Sequence, residues 1–243
     1  MIKRKKRKKR KRILVLYWSI FRNDRKTIND HLYSFRNYDL ENEYVYFNAL
    51  WGLPFYLPFI KFDLVIMHYS LLSLKWSKKH WDFYEPRFVK VLKKMLDVKK
   101  VAFPQDEYYN SSGLCNFFKE CGVDTVFTCA LPEDFRKFYP EKSSGVRWIY
   151  PTLTGFVDEK TLQLIYSGNL FKGNKDREID VGYRARQLPF WLGKHGQLKV
   201  QLADVFQKKL EKIPDLSKTF LLTLLMYLKA KTGFAFFAVA EWS

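Results

Sequence analysis

Asp63-Leu-Val-Ile-Met-His-Tyr-Ser70 reads as one short strand and the turn that leaves it. Its apolar residues run without alternation, which fits a strand buried on both faces, the habit of parallel sheets. The same reading recurs on either side. Upstream lie Ile13-Leu-Val-Leu-Tyr17 and Tyr44-Val-Tyr-Phe47. Downstream lie Lys100-Val-Ala-Phe103, Asp124-Thr-Val-Phe-Thr128 and Val146-Arg-Trp-Ile-Tyr150. Between them, residues 24–38, 73–98, 114–121 and 132–138 carry apolar residues near helical spacing. Pro86 is expected to kink or divide the second of these, and Gly122 to close the third. Strands alternating with helices predict an α/β fold: a Rossmann-like parallel sheet over residues 13–150, with helices on both faces.

The pattern changes after Tyr150. Residues 151–176 are irregular, carry Gly155, Gly168 and Gly173, and read as a linker or interdomain crossing. Ile179-Asp-Val-Gly-Tyr183 starts a new strand, and Leu198–Leu210 is an amphipathic helix. Residues 177–217 therefore read as the first β–α unit of an incomplete second α/β domain, since one such unit cannot bury both its faces. Residues 218–243 form an apolar tail.

Composition narrows the function classes. Lys and Arg exceed Asp and Glu by 43 − 25 = +18, and ten of those charges are the unbroken run Lys3–Arg12. Residues 1–12 are expected to be a basic disordered tail, and the rest of the chain is only moderately basic. The run reads as a solvated tail, or as a contact for an anionic membrane surface; nucleic acid ranks third, because no recognition motif accompanies it. Cys115, Cys121 and Cys129 match no disulfide framework or zinc spacing, which predicts reduced thiols in a cytoplasmic protein and no metal. No apolar segment is long enough to span a bilayer, so any membrane association is expected to be peripheral, at the inner face.

In open parallel sheets ligands bind beyond the carboxyl ends of the strands. That rule selects Trp18 and Arg22 after the first strand, His68 and Tyr69 after the third, and Gln105, Asp106 and Glu107 after the fourth. A base among His68, Asp106 and Glu107 could deprotonate a hydroxyl in one crevice, with Trp18, Arg22, Tyr69 and Gln105 contacting its owner. The plainer alternative has Asp106 capping the next helix and His68 packing structurally. No glycine-rich dinucleotide loop, phosphate-binding loop or esterase elbow is present, so dehydrogenase, nucleotide-triphosphatase and esterase chemistry have no support. In Arg177-Glu-Ile-Asp-Val-Gly-Tyr-Arg-Ala-Arg-Gln-Leu-Pro-Phe-Trp-Leu-Gly193, Arg184 and Arg186 could meet a diphosphate or sugar carboxylate, or form an interdomain ion-pair cluster.

The stretch Ile179–Gly193 resembles bacterial glycosyltransferases with two Rossmann domains (the GT-B type) of surface or capsular polysaccharide synthesis. Phe103–Ser111 and Asp63–Ser70 resemble the N-terminal half of the same family. The resemblance covers roughly residues 12–215. It implies an acceptor-side domain followed by a donor-side domain. It implies transfer of a sugar from a nucleotide sugar to a glycan or lipid-linked acceptor, with the nucleotide sugar as substrate and no cofactor. Arg184 and Arg186 match the family stretch at the domain crossing, toward the donor phosphates. Little of a donor-side domain follows, so the chain is expected to be inactive alone. From Lys218 the likeness stops. Back-translated and read one base out of phase, the tail can encode a polar, tryptophan-containing continuation, so a frameshift near Lys218 followed by truncation is expected. The competing reading is an apolar C-terminal helix that docks on a membrane or partner. A non-catalytic α/β binding module, tethered to anionic membrane by the basic run, is the alternative function.

Overall fold

A computed structural model of the chain describes residues 9–20, 26–153, 158–168, 181–186, 188, 190–210, 220–229 and 235–239. Two compact units divide it, residues 1–158 and 159–243.

The first unit is a six-stranded sheet. The strands are β1 (Arg12–Tyr17), β2 (Glu43–Asn48), β3 (Leu64–Met67), β4 (Lys99–Ala102), β5 (Thr125–Thr128) and β6 (Trp148–Pro151). All pairings are parallel and the order is β2-β1-β3-β4-β5-β6. The first strand is interior: Leu14 pairs with Val45 on one side and Val65 on the other. Leu14, Val15 and Leu16 have no exposed surface. An apolar strand covered on both faces is what the unalternated sequence predicts.

The helices are α1 (Lys26–Tyr38), α2 (Tyr69–Leu72), α3 (Lys78–Leu92), α4 (Ser111–Cys121), α5 (Phe135–Phe138) and α6 (Glu141–Ser144). Their cover of the sheet is unequal. Residues of α2, α3 and α4 pack with Leu14, Leu16, Val65, Met67 and Val126 in the larger core. On the opposite face Leu32, Tyr33 and Phe35 of α1 meet Ile13, Val15 and Ile66. Toward β6 that second face carries stacked rings: Phe103 on Phe127 at 4.8 Å, and Phe127 on Tyr150 at 5.4 Å.

Local chemistry explains the ends. Gly122 closes α4 in the left-handed region (φ 72°), and its N–H bonds back to the carbonyls of Phe118 and Lys119. Pro86 does not divide α3, which runs through it. The proline is exposed, and the Arg87 guanidinium donates to the Phe83 carbonyl one turn back. The free thiols of Cys115 and Cys121 are buried, and that of Cys129 is exposed.

The second unit differs from the sequence reading in two places. Part of the expected linker is a helix, α7 (Glu159–Tyr166). The apolar tail is extended rather than helical. Strand β7 (Val181–Arg186) is followed by α8 (Gly193–Leu210), and then by β8 (Phe220–Lys229), which pairs with it in parallel; β9 (Ala235–Val239) adds antiparallel to β8. Residues rich in Leu, Phe and Val satisfy their backbone in a sheet as readily as in a helix, and the parallel partner decides. The expected frameshift point, Lys218, lies outside the described residues, as does the basic run through Lys8. Among the described residues no helix is long and apolar enough to cross a membrane.

The doubly covered centre predicts a steep contrast in stability. Leu14→Ala should cost about 2–5 kcal/mol in urea unfolding, whereas Leu40→Ala, on a side chain 83% exposed, should stay within about 0.5 kcal/mol. Equal losses for the two would contradict the interior placement of β1.

Candidate functional site

Strand order reverses between β1 and β3: the chain leaves β1 toward β2 on one side and returns to β3 on the other. Such a reversal opens a crevice beyond the carboxyl ends of the two strands, where no crossover fills the gap. Short polar residues line it. The Trp18 N–H donates to Ser70 Oγ at 3.3 Å. The Ser19 N–H donates to Asn48 Oδ1 at 3.1 Å, and Asn48 Nδ2 returns a bond to the Ser19 carbonyl at 2.8 Å. The ends of β1, β2 and β3 are thereby tied by side chains where the ladder stops.

His68 is fully buried and caps α2, accepting the Ser70 N–H on Nδ1 at 3.1 Å. An acceptor at Nδ1 places the proton on Nε2. Nε2 then donates to His31 Nδ1 at 2.9 Å. The Tyr69 ring packs against His68 at 4.1 Å between centroids, tilted by 35°. Burial lowers the pKa of both histidines, and for His68 the neighbouring His31 adds to it. The pair is neutral at physiological pH and stiffens the turn after β3. The His68 ring is buried and has no surface on which to meet a substrate.

The loop after β4 is the second half of the site. Phe103 N–H bonds to the Met67 carbonyl at 2.9 Å, which carries the β3–β4 pairing one step past the strand. Two non-glycine residues then take left-handed backbone, Asp106 (φ 54°) and Asn110 (φ 49°). Asp and Asn tolerate that region best, yet each costs on the order of 1 kcal/mol, so something must hold them there. Lys75 does so. It is 1% exposed, and its ammonium donates to the Asp106 carbonyl and, at 3.0 Å, to the Tyr109 carbonyl. The Trp76 ring stacks on Tyr109 at 4.5 Å, nearly parallel at 3°. Gly113 leaves the room that the Asn110 side chain fills, since a Cβ there would lie 2.5 Å from Asn110 Oδ1.

These contacts divide the candidate bases. The Asp106 side chain is exposed at the crest of the loop. It does not cap α4, whose N-cap is Asn110. Glu107 is 7% exposed and accepts the Thr128 hydroxyl, while Thr128 Oγ1 accepts the Ala130 N–H at 3.0 Å. Glu107 joins the loop to the end of β5 and opposes the buried charge of Lys75. The Tyr139 hydroxyl is buried without a hydrogen bond of good geometry, and burial beside Glu107 pushes its pKa far up.

The remaining predicted residues are scattered in depth. Trp18 is half-buried, packed edge-on against Tyr84 at 6.3 Å and near His80, and its indole N–H has no partner among the described residues. Tyr69 and Gln105 are half-buried. Arg22 lies outside the described residues. Arg184 and Arg186 lie two residues apart on β7, paired with Thr223 and Leu225. His31, Lys75, Asn48 and Thr128 are the contributors that sequence reasoning missed. A lone lysine inside Leu71-Leu-Ser-Leu-Lys-Trp76 was the available signal for Lys75, because a buried lysine needs carbonyls or a carboxylate. Among the described residues no group of three or more His, Cys, Asp and Glu could hold a metal ion. The chain matches no family model, no curated protein and no solved structure in the comparisons made.

Two pH effects follow. Burial pushes Lys75 from 10.5 down to about 8. The unfolded chain therefore binds this proton more tightly, and between these values rising pH favours the fold. In thermal melts the stability of the wild type relative to Lys75→Met should grow from about pH 8 toward pH 10; a flat difference would remove the buried ammonium. The histidines act at the other end. Their folded pKa values lie below 6.5, so the unfolded chain takes up protons first as pH falls, and stability is lost below about 6.5. His68→Asn keeps an acceptor for the Ser70 N–H and should blunt that loss; an unchanged acid limb would show that the pair does not titrate on unfolding.

Proposed function

We propose that the first unit is the acceptor side of a nucleotide-sugar-dependent glycosyltransferase of the GT-B type, acting in surface polysaccharide synthesis. The observation that carries the reading is Asp106. Its carboxylate is exposed, its backbone is held left-handed by a buried lysine, and it follows β4, the strand next to β3. Strained, braced residues of this kind are typical of ligand sites.

In the inverting case the chemistry is simple. The Asp106 carboxylate takes the proton of the acceptor hydroxyl as that oxygen bonds to the anomeric carbon. The bond from that carbon to the diphosphate oxygen breaks, and the nucleoside diphosphate leaves with the electron pair. His68 and Glu107 hold the turn and the loop. Gln105 and Tyr69 are the polar and aromatic edges nearest the acceptor. In a retaining enzyme no such base is required, and Asp106 serves binding alone. Arg184 and Arg186 suit the donor's phosphates by chemistry, since guanidinium forks match phosphate oxygens. The nucleotide sugar is substrate, and no further cofactor is called for.

The alternative is a non-catalytic binding module. The burial of His68 and Glu107 favours it, because two of the three candidate bases have little or no surface for a substrate.

Calorimetric titration with a panel of oligosaccharide acceptors tests the reading. Asp106→Ala should weaken acceptor binding about tenfold, the loss of one charge-assisted hydrogen bond of roughly 1.5 kcal/mol. In an active inverting enzyme Asp106→Asn should also lower kcat about 10²–10⁴-fold, the range expected for a general base. Binding unaffected by Asp106→Ala would take this residue out of the site. Binding lost without any nucleotide-sugar-dependent transfer would favour the module.

A further inference from the structure

The β2–β3 crossover carries rings into solvent. Trp51, Phe55 and Phe59 are 93%, 82% and 85% exposed. Residues 49–62 contain no Asp or Glu. Part of this crossover forms one wall of a groove of ≈ 250 Å³, and Arg87, Lys90 and Lys94 of α3 and its C-terminal turn line the other wall. Their spacing of three and four residues aligns them along one side of the helix. None of the three makes an ion pair with a carboxylate among the described residues. The Arg87 guanidinium is engaged within its own helix, 3.6 Å over the Phe83 ring, which leaves Lys90 and Lys94 unneutralised beside exposed rings, a pairing that attracts an anion with an apolar body.

The groove connects to the basic run. Asp63, which ends the crossover, donates its N–H to the Arg12 carbonyl at 2.8 Å, and the Arg12 guanidinium lies 5.4 Å over the Phe62 ring. The C-terminal end of α3 precedes β4, so it lies toward the edge at which the parallel strands begin. Arg12 opens β1 at that same edge. Arg12, the last residue of the basic run, therefore lies at the edge toward which the C-terminal end of α3 runs.

We propose that this face docks on a bilayer of anionic phospholipid. Trp and Phe rings settle at the level of the headgroups and upper acyl chains, and Arg and Lys reach the phosphates along their own aliphatic stems. Each basic residue near an anionic surface adds to the attraction. A free phosphate would satisfy the cations but leave the rings in water, and a purely apolar partner would leave the cations unpaired. A bilayer satisfies both. The inference is independent of the sugar-transfer reading.

Sedimentation of the full chain with vesicles tests it, comparing phosphatidylcholine alone with phosphatidylcholine containing about one third phosphatidylglycerol. The chain should bind the anionic vesicles and not the neutral ones. Lys90→Gln with Lys94→Gln should lower the partition coefficient about thirtyfold, and Phe55→Ser with Phe59→Ser should lower it on the same vesicles. All four side chains are exposed, so circular dichroism should be unchanged. A third variant with Lys5, Lys6, Arg7 and Lys8 changed to Gln should keep binding that still depends on the groove. Binding unchanged in both the lysine and the phenylalanine variants would overturn the proposal, as would equal binding to neutral vesicles. Loss of binding in millimolar glycerol phosphate would assign the groove to a soluble anion. A dimer in sedimentation velocity that Phe55→Ser with Phe59→Ser dissolves would assign it to a second copy of the chain.

Discussion

Burial of β1 on both faces is the constraint on which the first unit depends. Ile13 and Val15 face α1, Leu14 and Leu16 face the helices of the other side, and hydrogen-bonded partners flank both edges of the strand. A strand in that position needs apolar residues on both faces, and β1 itself carries no buried polar side chain. Polar chemistry is displaced to the strand's carboxyl end. There the chain has gone one way to β2 and come back to β3, and side chains rather than backbone ladders make the connections. Asn48, Ser70 and His68 do this work. They are tied to backbone groups, which fixes the ends of the three strands to one another.

The loop after β4 is braced in a different way. Its left-handed Asp106 and Asn110 would relax if left alone, and the Lys75 ammonium opposes that by binding two of the loop's carbonyls at once. Burying a lysine is costly unless its donors are met and a carboxylate is near. Glu107, itself buried and held by Thr128, provides the opposing charge. The arrangement exchanges stability for position: one exposed carboxylate is presented on a backbone that cannot easily move. Preorganisation of this kind lowers the entropy lost on binding or reaction.

Much of the fold was legible because it is written in local pattern. Each of the six strands was located to within two residues by an apolar run between polar turns, and Gly122 announced the end of its helix. Less of the site was legible, for a physical reason. The strand-end rule picks positions along the chain but not their depth, so His68 and Glu107 were grouped with Asp106 although they are buried. Lys75 and Asp106 are thirty-one residues apart, and His31 and His68 thirty-seven. Contacts of that separation leave no periodic trace. The apolar tail shows the same limit, since a run such as Phe220–Leu228 suits a helix or a strand until a parallel neighbour selects one.

The central claim is that the reversal between β1 and β3, with the loop after β4, receives a ligand bearing a sugar hydroxyl. Amide chemical-shift mapping during titration with oligosaccharide acceptors addresses it most directly. The account predicts perturbations that cluster at Ser70 and at Gln105–Tyr109, with the amides of β7 and of the α3 groove unmoved. Perturbations confined to the groove, or none at any concentration, would contradict it.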